Sequence, residues 1–263
     1  QFEEFFTNDE NFNKETASPS MEAQLAMNLL IETAKLSKEK GIPVYIVCTM
    51  RSDYIGNAPA YRGLPELIGD NQFFVPRLNR EEITQVIEEP AALNGNSISK
   101  RLVQRLINDL DVVNTDVLPS LQHTLRRIWE MANKGEHELD LLHYAMAGGM
   151  DASELPDANK DTFKQWVATQ PDYIQKLYSD RKNNRGISNV LNHHANHLFE
   201  IAHLEQGVTI DKQTSQRILQ KVFQCLTQID DSKAVRHRMT FDEIIQVIEE
   251  RDVDKAQIEL LLR

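Results

Sequence analysis

The sequence predicts a mixed α/β protein that is mainly helical. Three observations carry that expectation. Polar cap residues followed by apolar stripes at helical spacing recur from residue 20 to the end of the chain. One β-branched apolar run, Val44-Tyr-Ile-Val-Cys-Thr-Met50, follows the first of these helices directly. Gly and Pro are scarce, ten and nine among 263 residues, which favours helices over a β-sandwich.

Taken in order, residues 1–20 read as the end of one element and a polar loop around Asn8-Asp-Glu-Asn-Phe-Asn-Lys14. Ser20 caps a helix over 21–40, with Met21, Leu25, Leu29 and Leu36 as its apolar stripe and Gly41 as its stop. Gly41-Ile-Pro43 then turns into a strand at 44–50, making one αβ unit of a parallel sheet. Residues 54–75 read as irregular. Asn79-Arg-Glu-Glu82 is a capping-box pattern that opens a helix with Ile83, Val86 and Ile87 facing inward and Pro90 near its end. Ser99 caps the next helix, whose face is Leu102, Val103, Leu106, Ile107 and Leu110. Asp116 opens a third, striped by Leu118, Leu121, Leu125, Ile128 and Trp129.

Residues 135–185 are polar and mixed, with helices expected near 139–147 and 160–179. Beyond them come helix 187–205, a helix over 212–229 capped by Asp211, and a turn with a short strand over 230–238. Thr240-Phe-Asp-Glu243 is a second capping-box pattern opening helix 241–250, and a last helix runs from about 254 to 262. Two helices, a β-turn and a helix approach a winged-helix arrangement.

Charge narrows the function classes. A formal net charge of −11 argues against nucleic acid or an anionic membrane surface as the main ligand, because neutralising phosphates takes clustered Lys and Arg. The winged-helix reading does not change this, since its third helix, Phe-Asp-Glu-Ile-Ile-Gln-Val-Ile-Glu-Glu, is acidic. The small basic patch Arg236-His-Arg238 reads as a solvated wing. Cys48 and Cys225 stand far apart in apolar contexts, so no disulfide framework is expected and a reducing, cytoplasmic setting fits. No signal peptide or membrane-length apolar run is legible. Starting at Gln rather than Met, the chain reads as truncated or processed.

Arg51 is the sharpest single feature. In open α/β sheets, ligands bind beyond the carboxyl ends of the strands. An arginine there offers a forked, permanently charged guanidinium suited to phosphate. The plainer reading is a salt bridge to Asp53. His193, His194, His197 and His203 invite a metal reading, with His193 and His197 at i, i+4. No zincin glutamate and no third ligand at a familiar spacing accompany them, so a solvated or partly packed helix face is expected and no metal site.

Several segments, in order along the chain, resemble the novel STAND-class P-loop NTPases, relatives of the AAA+ and NB-ARC switch ATPases. Gln1-Phe-Glu-Glu-Phe-Phe6 is similar to the tail of their Walker B signature and Thr49-Met-Arg-Ser-Asp53 to their sensor strand. Phe74-Val-Pro-Arg-Leu78 with Glu82 through Glu89-Pro-Ala91 resembles the opening of their helical lid. Leu118-Pro-Ser-Leu-Gln-His123 resembles their Leu-Pro-Leu-Leu motif, and Leu226-Thr-Gln-Ile-Asp230 with Val235-Arg-His-Arg238 their winged-helix segment.

The resemblance implies the C-terminal part of a P-loop α/β domain over residues 1–75 and a helical lid over 76–134. A variable helical insertion over 135–185 and a winged-helix-like domain over 186–263 would follow. It implies a cytoplasmic, prokaryote-rich signalling or defence switch that couples ATP/ADP and Mg²⁺ to conformational change and self-oligomerisation. Its partners would be copies of itself and other domains of the same polypeptide, such as WD40, TPR or effector domains.

By the same resemblance Arg51 would sense the terminal phosphate, Glu3 or Glu4 (Glu4 as first choice) would orient the attacking water, and Pro119 would pack against adenine. A solvated acidic turn and simple helix initiation are the plainer readings of those last positions. His123, one turn on, reads as a polar residue near the lid. No G-x-x-x-x-G-K-[ST] loop occurs in these residues, and the resemblance puts the Mg²⁺-holding aspartate before Gln1. The segment alone is therefore expected to bind no cofactor and not to hydrolyse ATP. A non-catalytic helical interaction scaffold is the alternative.

Overall fold

A computed structural model describes residues 2–7, 11–13, 16, 18–110, 117–179, 185–230, 233–237, 239–248 and 253–262. The chain divides into two compact units, Gln1–Arg77 and Leu78–Arg263. It is mainly helical, with two small antiparallel two-stranded sheets among the described residues.

The first unit runs through α1 (Glu4–Thr7), β1 (Phe12–Asn13), β2 (Ser18–Pro19) and α2 (Met21–Lys40). A 3₁₀ helix over Ser52–Ala60 and α3 (Leu64–Asn71) complete it. β1 and β2 pair with Phe12 opposite Pro19. Helix α2 starts and stops where the sequence indicates. The Ser20 hydroxyl accepts from the Ala23 N–H, and Gly41, at φ 62°, adopts the left-handed geometry that a side chain resists.

Its buried face differs from the expected stripe. Ala23, Met27 and Ile31 enter the core, while Leu25 and Leu29 are 63% and 69% exposed and Met21 and Leu36 also face outward. Both sets have the i, i+4 spacing of a helix face; the smaller set wins because it packs against Phe6, Phe12, Tyr61 and Leu64.

Residues 44–50 form no strand. A strand is held by ladder partners, and among the described residues none pairs with this run. Its first residues are tied locally instead: the Ser37 hydroxyl lies 2.6 Å from the Ile42 carbonyl and 3.0 Å from that of Val44. Tyr45 and Val47 are 87% and 88% exposed. The stretch after it is more ordered than expected. Pro59 lies inside the 3₁₀ helix, and a proline in the first turn of α3 needs no N–H partner, so the residues that suggested a loop are compatible with helix.

The second unit comprises α4 (Arg80–Leu93), α5 (Lys100–Asp109), α6 (Val117–Met131), α7 (Leu141–Met146), α8 (Asp157–Ala168) and α9 (Asp172–Ser179). It continues with α10 (Ile187–Ile201), α11 (Lys212–Cys225), the hairpin β3 (Thr227–Asp230) and β4 (Lys233–Arg236), α12 (Phe241–Ile248) and α13 (Lys255–Leu261). The Asn79 capping box forms as read, with Glu82 returning a 2.7 Å bond to the Asn79 N–H. So do the caps at Ser99 and Asp211 and the Thr240–Glu243 box.

Other boundaries move. Pro90 lies inside α4, Val86 points outward, and Leu118 is half exposed. Pro171 divides the expected helix 160–179 into α8 and α9. Helix α11 ends at Cys225 rather than 229, because Thr227–Asp230 pair with Lys233–Arg236 as a hairpin. Gln1, the loop residues 8–10 and 14, Asp116 and Arg238 lie outside the described residues.

Two clusters hold this unit. Leu102, Val103, Leu106 and Ile107 of α5 meet Leu121 and Ile128 of α6, Tyr144 of α7, Phe163 of α8 and Val190 of α10 in one core. Ile218 and Val222 of α11 pack with Ile244 and Ile248 of α12 and Ile258 and Leu261 of α13 in the other. Trp129 and Trp166 lie partly buried against the first cluster, as core residues should. The Trp129 indole N–H donates to Asn96 over 3.0 Å.

Candidate functional site

The segments around Glu3, Glu4 and Arg51 meet at one small core. Phe2, Phe5 and Phe6, which flank the two glutamates, pack in the same cluster as Met50 and Tyr54, which flank Arg51. Tyr61 ties the cluster together. It is fully buried, edge-on to Phe5 and Phe6 at 5.9 and 5.5 Å, and its hydroxyl donates to the Phe5 carbonyl over 2.8 Å. Glu4 opens α1, and its main-chain carbonyl accepts from Asn11. The Glu3 carbonyl accepts from Thr7.

Arg51 precedes the 3₁₀ helix in extended conformation. Its guanidinium makes the plainer contact anticipated for it, a 2.6 Å ion pair with Asp53, and lies 5.9 Å from the Tyr54 ring centroid. Both partners of the pair are more than half exposed. Such a pair contributes about 0–1 kcal/mol, so exchanging Asp53 for a phosphate costs little. The donor set thus fits one phosphate contact.

Pro119 lies in the second unit, exposed in the first turn of α6, where its missing N–H has no helical role. A groove of about 420 Å³ lies along the other half of α6, lined by Ile87, Pro90, Asn96, Leu125, Trp129 and Leu139, and Pro119 is not part of it. His123, one turn beyond Pro119, stacks on His194 of α10. Among the described residues no group of three or more His, Cys, Asp or Glu has a metal-holding arrangement, and no helix is long and apolar enough to cross a membrane.

The second unit also holds a charge network that sequence reasoning missed. Arg105 bonds Asp109 at 2.8 Å and Glu154 at 2.6 Å, Arg185 reaches Glu154 at 3.1 Å, and the Tyr144 hydroxyl donates to Asp109 over 2.9 Å. Burial, then Asp109, hold the Tyr144 phenol far above its ordinary range. Nearby, the Asp140 carboxylate takes bonds from Ser99 and Arg101 beside the start of α7. The spacing Arg105/Asp109 is the one local signal for any of this; the other partners are brought in by tertiary packing.

A family model described as Novel STAND NTPase 1 matches residues 1–180. The match covers both the Glu3–Arg51 core and the α4–α9 bundle, and the chain belongs to the novel STAND NTPase family. Neither a curated protein nor a solved structure matches the chain.

Proposed function

We propose that this chain is the phosphate-sensing and lid portion of a STAND-type ATPase switch. Family membership joined to the shared core beneath Glu3, Glu4 and Arg51 carries the reading. Residues 1–75 would be the C-terminal part of the P-loop α/β domain, 76–134 the helical lid, 135–185 a helical insertion and 186–263 a winged-helix-like domain. The β3–β4 hairpin between α11 and α12 supports the last of these assignments.

Bound ATP and Mg²⁺ would supply the phosphate charge that distinguishes the switch's two states. Arg51 would leave Asp53 for the terminal phosphate, and Glu4, or Glu3, would hold a water near it. Pro119 would offer an apolar face to the base. The chain would bias a closed monomer against an open oligomer by contacting nucleotide differently in the two states. Self-association, further domains of the same polypeptide and a cytoplasmic setting belong to the same proposal, with neither nucleic acid nor membrane as ligand.

The test is Arg51→Ala in a polypeptide that also carries a Walker A loop. Folding should be unchanged, because an exposed ion pair contributes at most about 1 kcal/mol, and ATP-dependent assembly should be lost. Assembly that persists unchanged with ATP would refute the sensor role. A second reading is a helical scaffold without ATP turnover. Failure of that longer polypeptide to bind ATP would select it.

A further inference from the structure

Helices α6 and α10 pack against each other, and the packed faces are rich in imidazoles. His123 of α6 stacks on His194 of α10 with ring centroids 5.0 Å apart and planes 29° apart. One turn along α10, the His197 Nδ1 lies 3.2 Å from the Tyr173 hydroxyl of α9. His193 is buried with its ring 4.9 Å from that of Tyr178.

The fixed charges around the stack come from α6. Arg127, with a side chain only 16% exposed, lies one turn beyond His123, and Arg126 is beside it. The single carboxylate of this group, Glu130, is already paired with both arginines. On α10 the next carboxylate, Glu200, is bound to Lys212 and Gln216 of α11. The His123 Nε2 is buried with no hydrogen-bond partner among the described residues. Among the described residues the seam therefore has cations in place and no spare carboxylate to receive another.

We propose that the His123–His194 stack is a proton-operated latch, in which neutral rings hold α6 to α10 and protonation drives the two helices apart. Two imidazolium rings at this separation repel each other and Arg127. Burial first, then Arg127, push His194 down to about 4 and hold His123 and His197 below the ordinary histidine range. The sign follows from linkage. A histidine freed by opening takes its proton near 6.5, whereas a latched one resists until lower pH. The latch is thus fully closed above about pH 6.5 and weakens as pH falls toward 4. For His194 alone the closed-to-open ratio should drop on the order of tenfold between pH 7 and pH 5.

Hydrogen exchange followed by mass spectrometry on the full chain, corrected for intrinsic rates, tests this. Amides of α6 and α10 should lose protection on the order of tenfold at pH 5 relative to pH 7, while α2, in a unit without histidine, keeps its own. The double variant His123→Gln, His194→Gln should weaken the response to the part that His197 supplies, and His137→Gln, an exposed histidine, should leave it intact. Equal acid loosening in the double variant, or none in the parent chain, overturns the latch. Should the double variant not fold, imidazole titration of the parent by NMR decides. Titration of His123 and His194 near 6.5 overturns the proposal, and titration clearly below it, together with loss of α10 protection, supports it.

Discussion

The Tyr144 hydroxyl reaches the Asp109 carboxylate at 2.9 Å from inside the core, where the ring is fully buried. Asp109 also accepts from Arg105, which in turn holds Glu154. One tyrosine thus connects the apolar interior of the second unit to a charge network. Tyr144→Phe keeps the ring and removes a charge-assisted bond from a half-buried carboxylate. The variant should lose about 1–3 kcal/mol of stability in urea unfolding; a loss within experimental error would mean that water replaces the hydroxyl.

The same ring sets a limit on Gly149. A Cβ built there would sit 1.8 Å from the Tyr144 Cε2, in a ring that has no free space to move into. Gly149→Ala should destabilise by about 1–3 kcal/mol or more through overpacking. The double change Gly149→Ala, Tyr144→Leu should recover part of that loss if the clash is the cause, which a double-mutant cycle in thermal unfolding reads directly.

In the first unit the two faces of α2 make opposite predictions. Ile31 is 4% exposed and packs in the core with Tyr61 and Leu64, whereas Leu29 is outside it. Ile31→Ala should cost about 2–4 kcal/mol, and Leu29→Ala should stay within about 0.5 kcal/mol. Denaturant midpoints of the two variants would reverse if the stripe expected from sequence were the packed one.

Asp140 gives the second unit an acid-sensitive joint. Burial works to raise its carboxyl pKa, but the bonds from Arg101, Ser99 and the Leu141 N–H prevail and hold it below the usual carboxylate range. A carboxyl lowered in the folded state stabilises fully above its unfolded pKa of about 3.9, and that contribution is lost as pH falls through the folded value. Asp140→Asn should therefore be less stable than the parent at pH 7, and the difference should shrink as the pH falls below about 3.9. Curves that stay parallel through that acid range would remove Asp140 from the account.

What the sequence made legible was local. Ser20, Asn79, Ser99, Asp211 and Thr240 cap helices because a cap is decided within four residues. The α5 face was legible for a similar reason, since Leu102, Val103, Leu106, Ile107 and Leu110 leave no competing apolar face. On α2 two apolar sets share one period, and only the neighbours decide between them. The run 44–50 has strand-forming residues, yet a strand exists only with a partner to bond. The site shows the same division. Arg51 stood out from its own segment, while the Arg105–Asp109–Glu154–Tyr144 network links residues up to 49 positions apart and left only its i, i+4 pair in view.

The bare segment around Tyr45 and Val47 has a consequence at the bench. β-branched, exposed and, among the described residues, without a ladder partner, it has what one chain needs to zip onto another, and Leu25 and Leu29 add apolar surface in the same unit. Material made from these residues would tend to clump through that segment irrespective of nucleotide. A multimer that survives ATP removal and disappears with a Val47→Lys change is stickiness, and should be kept apart from any assembly that the switch performs.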